Sequence, residues 1–198
     1  MQNYNYQPKN VFKEKRRHEI LGGKIYNMAR STTNHSRIIG NISRIFGNFL
    51  RGKKFEAFSA GVDVKFDEKN TTVPDVMIVC NKNIIKEKWI EGAPDLIVEV
   101  RSPSTARRDI GYKKDLYQKF GVKEYWLISP PERSILVYLL KDGVYELDNI
   151  YQIYDDVGLY GMDEEEINAI AKEFKTSLYD DLIISVEEVF ENVELLRF

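Results

Sequence analysis

Apolar and polar positions follow two periods along this chain, and the switches between them mark its elements. Residues 19–29, EILGGKIYNMA, read as a short strand following the Gly22-Gly23 turn. Residues 32–51, TTNHSRIIGNISRIFGNFLR, place Ile38, Ile39, Ile42, Ile45, Phe46 and Phe49 on one face of an amphipathic helix that also carries Arg37, Arg44 and Arg51. FEAFSAGVDVKF predicts two extended pieces joined near Gly61, VPDVMIVC a third strand and DLIVEV a fourth. After the turn and capping residues Ser102 to Thr105, ARRDIGYKKDLYQKF (106–120) spaces Ile110, Leu116, Tyr117 and Phe120 as a helix does and stops at Gly121. KEYWLIS then returns as a strand, RSILVYLLKDGVYEL as a hairpin about Asp142-Gly143, and DEEEINAIAKEF (163–174) as a short acidic helix. Strand, helix, strand implies a crossover and hence a mixed sheet in an α/β or α+β core.

Within that pattern Leu96-Ile97-Val98-Glu99-Val100 carries an acid where core residues are expected. Strand alternation puts Asp95, Ile97, Glu99 and Arg101 on one face and Leu96, Val98 and Val100 on the other. A carboxylate so placed costs several kcal/mol of desolvation unless a cation, a metal ion or a wet cleft compensates. A Glu99–Arg101 ion pair that only holds the strand is one reading; a site is the other. A second acid, Asp75, opens the run Val76-Met77-Ile78-Val79, and two carboxylates on neighbouring strands can share one magnesium ion with a backbone carbonyl, waters and a substrate phosphate. The other Pro-Asp pair, Pro94-Asp95, fits a turn or capping role. Asp109, Lys113 and Tyr117 recur every four residues on the helix that follows, which makes Lys113 a cation able to lean over Glu99, or half of an ordinary surface pair. Ser102, Arg107 and Arg108, directly after the acidic strand, suit phosphate contact, and the arginines equally suit a solvated face. Trp126 and Tyr125 read as core.

Composition narrows the setting. With 198 residues, 43% of them hydrophobic, and no repeat or linker, the chain is expected to form a single domain over 1–198. The lone Cys80 excludes an internal disulfide and reads as a core thiol in a reducing cytoplasm. The polar N-terminal segment has no apolar centre and no stretch approaches the ~18 apolar residues of a membrane span, so neither export nor a membrane partner is expected. The net charge of -2 hides a strong asymmetry: residues 1–60 carry +9, residues 61–141 +2 and residues 142–198 -13. A basic portion beside an acidic one allows a local anion-binding surface.

Taken together, HEILGGKIY, VPDVMIV and PDLIVEVRSPSTARRDIGYKKDLYQKFGVKEYWLISP resemble the Uma2 (Uma-two) family of bacterial restriction endonucleases, placed in the PD-(D/E)XK nuclease superfamily. The resemblance runs from about Glu19 to the hairpin near residue 148 and returns weakly at LYDDLIISVEEVF. It implies a restriction-endonuclease-like core, a mixed central β-sheet flanked by helices, with Asp75 and Glu99 as the catalytic and metal-binding acids. Lys113 matches the family's helical lysine and is implied as the third catalytic residue, positioning or activating the attacking water; Glu19 matches a further acid and third metal ligand, and His35 a histidine near the start of the first helix, a substrate contact. Arg101 departs from the superfamily, where a lysine usually stands two places after the glutamate. Arginine stays protonated and suits a phosphate contact better than a base. Gly22 departs as well, standing where relatives tend to carry Asp.

The expectation is a Mg²⁺-dependent endonuclease, Mn²⁺ serving too, that hydrolyses phosphodiester bonds of nucleic acid, with DNA as substrate and a homodimer presenting one site to each strand. The other reading is a nuclease fold that no longer cuts and serves as a nucleic-acid-binding or interaction protein.

Overall fold

The computed structural model describes residues 17–102 and 108–194. In chain order the strands are β1 (His18–Leu21), β2 (Lys24–Asn27), β3 (Glu56–Ser59), β4 (Asp63–Asp67), β5 (Asn70–Thr72), β6 (Val76–Val79), β7 (Trp89–Glu91), β8 (Leu96–Val100), β9 (Glu124–Ser129), β10 (Ser134–Lys141), β11 (Val144–Gln152), β12 (Glu173–Thr176) and β13 (Tyr179–Ser185). The α-helices are α1 (Thr33–Leu50), α2 (Lys114–Phe120), α3 (Glu164–Asn168) and α4 (Val186–Val189). A large sheet runs β11-β10-β9-β8-β6-β3, a smaller one β2-β1-β5-β4-β7, and β12-β13 is a separate hairpin. In the large sheet β8 and β9 are parallel, linked by the α2 crossover, and the remaining pairs are antiparallel, so the fold is mixed α+β.

Both faces of the large sheet are covered, and the two-residue period of its strands sorts side chains between them. Leu96, Val98 and Val100 of β8, with Val76 and Ile78 of β6, pack against the Ile38, Ile42 and Phe46 stripe of α1 and against Trp126. Ile97, Met77 and Val79 face the other way, toward Leu116 and Tyr117 of α2, Tyr125, and Val64 of the small sheet. Each such side chain, fully withdrawn from water, contributes about 1.5–3 kcal/mol. Helix α1 starts where Thr32 accepts a hydrogen bond from the His35 N–H. Helix α2 is preceded by a π-helical turn, Asp109–Lys113, and ends at Gly121, whose φ of 81° supplies the left-handed cap.

Several expectations change. The two pieces about Gly61 do form, as β3 and β4, but they enter different sheets, the chain turning at Gly61 with φ 111°. The Gly22-Gly23 turn joins two strands rather than preceding one. The acidic helix stops at Asn168, and Glu173–Thr176 is a strand, because an extended chain delivers Phe174 onto Tyr151 (ring centroids 4.2 Å) and Trp126 (5.0 Å). Cys80 is half-buried rather than core, and burial, with Asp95 beside it, pushes its thiol up to about 12. The charge asymmetry is partly answered within the chain: Arg37 pairs with Glu194 (3.4 Å), Arg44 with Glu191 (2.5 Å) and Lys53 with Asp181 (3.3 Å). Those basic residues of the α1 region are therefore engaged by the acidic C-terminal segment. No helix among the described residues is long and apolar enough to cross a membrane.

Candidate active site

In the antiparallel pairing of β6 with β8, Val76 stands opposite Val98, which places Asp75, one residue earlier, across from Glu99. Met77 and Ile97 project to the α2 side of the sheet, and by alternation the two carboxylates share that side. Asp75 Oδ2 accepts the Val100 N–H at 2.8 Å, which fixes the acid at the mouth of the strand pair. Both acids are buried, Glu99 at 3% exposure.

The helix after β8 does lean back over Glu99. Lys113 Nζ lies 3.0 Å from Glu99 Oε1, 2.7 Å from Glu19 Oε1 and 3.4 Å from Asp109 Oδ1, with its side chain 2% exposed. Glu19 arrives from β1 of the small sheet, where its Oε1 also accepts the Val73 N–H at 3.1 Å. The Tyr117 hydroxyl donates to Glu99 Oε1 at 2.6 Å. His35, on the first turn of α1, brings Nε2 to 3.3 Å from Asp75 Oδ2. Glu19, His35, Asp75, Glu99, Ser102 and Lys113 line one small cleft of about 50 Å³, together with Val73, Val100 and the Met28–Ser31 segment. Six residues predicted from sequence are thus brought together from five places in the chain.

Arg101 and Arg108 do not line this cleft. Arg101 Nη1 donates to Ser129 Oγ at 3.4 Å, and Ser129 in turn bonds Glu132, so this guanidinium is turned along β9 and does not line the cleft. It forms no ion pair with Glu99. Arg108 rests its guanidinium 5.2 Å from the centre of the Tyr26 ring. Arg107 lies outside the described residues. Asp95 serves the strand ends, accepting the Cys80 N–H at 2.7 Å and pairing with Lys123 at 2.8 Å.

More carboxylates than cations meet here. Burial raises Glu99 well above the usual carboxylate range, and the charges of Asp109, Asp75 and Glu19 add to it against the opposing pull of Lys113. Burial alone would lower Lys113, but Glu99, Glu19 and Asp109 outweigh it and hold it as an ammonium. His35 is raised in the same way, burial being overcome by the hydrogen bond and charge of Asp75. Among the described residues no three His, Cys, Asp or Glu side chains are gathered closely enough to hold an ion by themselves. The sheet register sets Asp75 opposite Glu99, the pair that the sequence suggests could share an ion. Such a pair fits magnesium, which binds through one or two carboxylates and keeps other positions for water and phosphate oxygens. Two contributors were under-read in the sequence: Asp109 and Tyr117, whose spacing put them on the face of Lys113 without revealing what they touch.

Comparison with known proteins gives a consistent setting. Residues 1–159 match the Uma2 family model, described as "Putative restriction endonuclease". An uncharacterized protein of Synechocystis is 32% identical over 149 residues, 74% of this chain and 78% of its own length. A second from the same organism is 29% identical over 114 residues, 56% of this chain and 64% of its own. The crystal structure titled as a putative nuclease belonging to DUF820, from Anabaena variabilis, superposes with a TM-score of 0.66 at 22% identity, covering 87% of this chain and 89% of its own, which shows a shared fold.

Proposed function

The chain belongs to the Uma2 family, and from that membership we propose that it is a magnesium-dependent DNA endonuclease, manganese substituting, in which Asp75 and Glu99 hold the ion. The observation that carries this reading is the cross-strand placement of Asp75 and Glu99 in a cleft closed by Lys113. A divalent ion held by Asp75 and Glu99 would supply Lewis-acid polarisation of the phosphoryl oxygen and would make water more acidic there. Lys113, whose ammonium form its carboxylate neighbours favour, orients the attacking water by hydrogen bonding and offsets charge that builds on the phosphoryl group. His35 holds Asp75 through Oδ2, while Glu19 anchors Lys113 through Oε1 and is the third candidate ligand through its other oxygen. Ser102, which lines the cleft, is assigned to phosphate contact together with Arg107 and Arg108 further along the chain, and Arg101 would contact substrate only by leaving Ser129. A two-fold dimer would present one such cleft to each strand of a duplex.

The test is nicking of supercoiled plasmid in Mg²⁺ and in Mn²⁺. Wild type nicks; Asp75→Asn and Glu99→Gln each lose about 100-fold or more, while Asp95→Asn retains activity. Equal nicking by the wild type and both site variants would overturn the assignment.

One observation favours a second reading, a nuclease fold that binds nucleic acid without cutting it: the superfamily's lysine position is taken by Arg101, which lies outside the cleft. Duplex retention on a filter with no nicking under any divalent metal would support it.

A further inference from the structure

Tyr117 lies one turn beyond Lys113 on α2, fully buried, its ring 5.6 Å from that of Phe66 and 5.4 Å from that of Tyr125. A phenylalanine would fill this apolar nest equally well. What the tyrosine adds is a hydroxyl, and that hydroxyl donates to Glu99 Oε1 at 2.6 Å. Lys113 Nζ reaches the same oxygen at 3.0 Å. Among the described residues, then, both donors on Glu99 come from the helix side and both grip Oε1, while Glu99 itself lines the cleft. The depth of the helix is itself fixed, because the Tyr125 hydroxyl donates at 3.0 Å to the Asp109 carbonyl in the π-helical turn, an irregularity found frequently at functional sites.

We infer that Tyr117 is a positioning residue for Glu99, holding Oε1 so that Oε2 stays available to the divalent ion. The inference rests on the nuclease reading above. Without the hydroxyl, Glu99 is held by Lys113 alone and can turn both oxygens onto the ammonium, withdrawing the ligand. Partners that orient a metal ligand typically account for about 10- to 100-fold in metal affinity or activity. A purely structural tyrosine would instead affect the stability of the metal-free fold and leave metal affinity alone.

The experiment is calorimetric titration of Mn²⁺ into the full chain, wild type and Tyr117→Phe, paired with plasmid nicking across the same Mn²⁺ range. Phe66→Leu, which disturbs the packing of the Tyr117 ring and keeps the hydroxyl, separates packing from positioning. The expected result is a cooperative metal-free melt for Tyr117→Phe, Mn²⁺ binding weaker by about 10-fold or more, and nicking that recovers as Mn²⁺ approaches saturation. Phe66→Leu should melt earlier and bind Mn²⁺ as wild type does. Wild-type Mn²⁺ affinity in Tyr117→Phe, or equal weakening in Phe66→Leu, would overturn the positioning role while leaving the nuclease reading intact. A wild type that neither binds Mn²⁺ nor nicks would overturn both.

Discussion

Lys113 Nζ stands 3.0 Å from Glu99 Oε1, an ion pair shut away from solvent between the start of α2 and β8. Glu19 and Asp109 close on the same ammonium, so one lysine offsets the charge of acids drawn from β1, β8 and the π-helical turn. Removing a partner from such a cluster leaves charge buried without compensation. Lys113→Met, which keeps most of the side-chain volume, should cost about 3–5 kcal/mol of metal-free stability. Urea unfolding with and without Mn²⁺ measures it: the added ion should restore part of the loss. A metal-free variant as stable as wild type would mean that the acids are already protonated in the fold.

Glu124 is a further buried acid that does not line the cleft, and its contacts are structural. Its Oε1 accepts Trp126 Nε1–H at 2.6 Å, and its Oε2 accepts the Ser177 N–H at 2.7 Å and the Ser177 hydroxyl at 2.6 Å, tying β9 to the turn between β12 and β13. Glu124→Gln offers one carbonyl oxygen to donors on both sides, so whichever way the amide faces, one N–H meets an NH₂ group. The expected loss is about 1–3 kcal/mol, read from urea unfolding by tryptophan fluorescence, with the Mn²⁺ response unchanged.

Asp95 gives the acid-side signature. Burial alone would raise its carboxyl, but the Lys123 side chain and the Cys80 N–H prevail and hold it below the usual carboxylate range. A carboxylate depressed by folding adds stability that is present above its unfolded pKa of about 3.9 and is lost as pH falls through the folded value. Because Lys123 is largely exposed, the pair is screened and its share is about 1 kcal/mol or less. Wild type should therefore exceed Asp95→Asn in stability at pH 6, and the gap should close below pH ~3.9. A gap constant from pH 6 to pH 3 would contradict this account, since the Lys123 pair and the Cys80 N–H both favour the charged carboxylate.

The centre of the fold was legible because its pattern is local. Alternation in β8 sorts Glu99 from Val98 and Val100 by strand geometry alone, and the Pro74-Asp75 step opens β6 at the point where antiparallel pairing meets Glu99. What escaped depends on partners distant in sequence. The period of β3 and β4 says that each is extended, but not that they join different sheets. The run containing Phe174 has a helical spacing that gives way once Tyr151 and Trp126 offer it a surface. The basic portion 1–60 allowed a local anion-binding surface, but Glu191 and Glu194, far along the chain, lie beside its Arg44 and Arg37. Arg101 alternates onto the Glu99 face by register, yet Ser129 at the end of β9 draws it away, a contact no local period encodes.

The central claim, that Asp75 and Glu99 form a divalent-metal site, is tested most directly by thermal melting of wild type and Asp75→Asn across Mg²⁺ and Mn²⁺ titrations. Asparagine keeps an acceptor for the Val100 N–H and removes the charge. The account predicts that Asp75→Asn melts at or above the metal-free wild type, since repulsion among the clustered acids falls. It also predicts that metal raises the wild-type midpoint in proportion to log concentration once above Kd and leaves the variant unmoved. A wild type indifferent to either metal, or a variant that shifts equally, would contradict the site and leave these carboxylates as an ion-paired scaffold around Lys113.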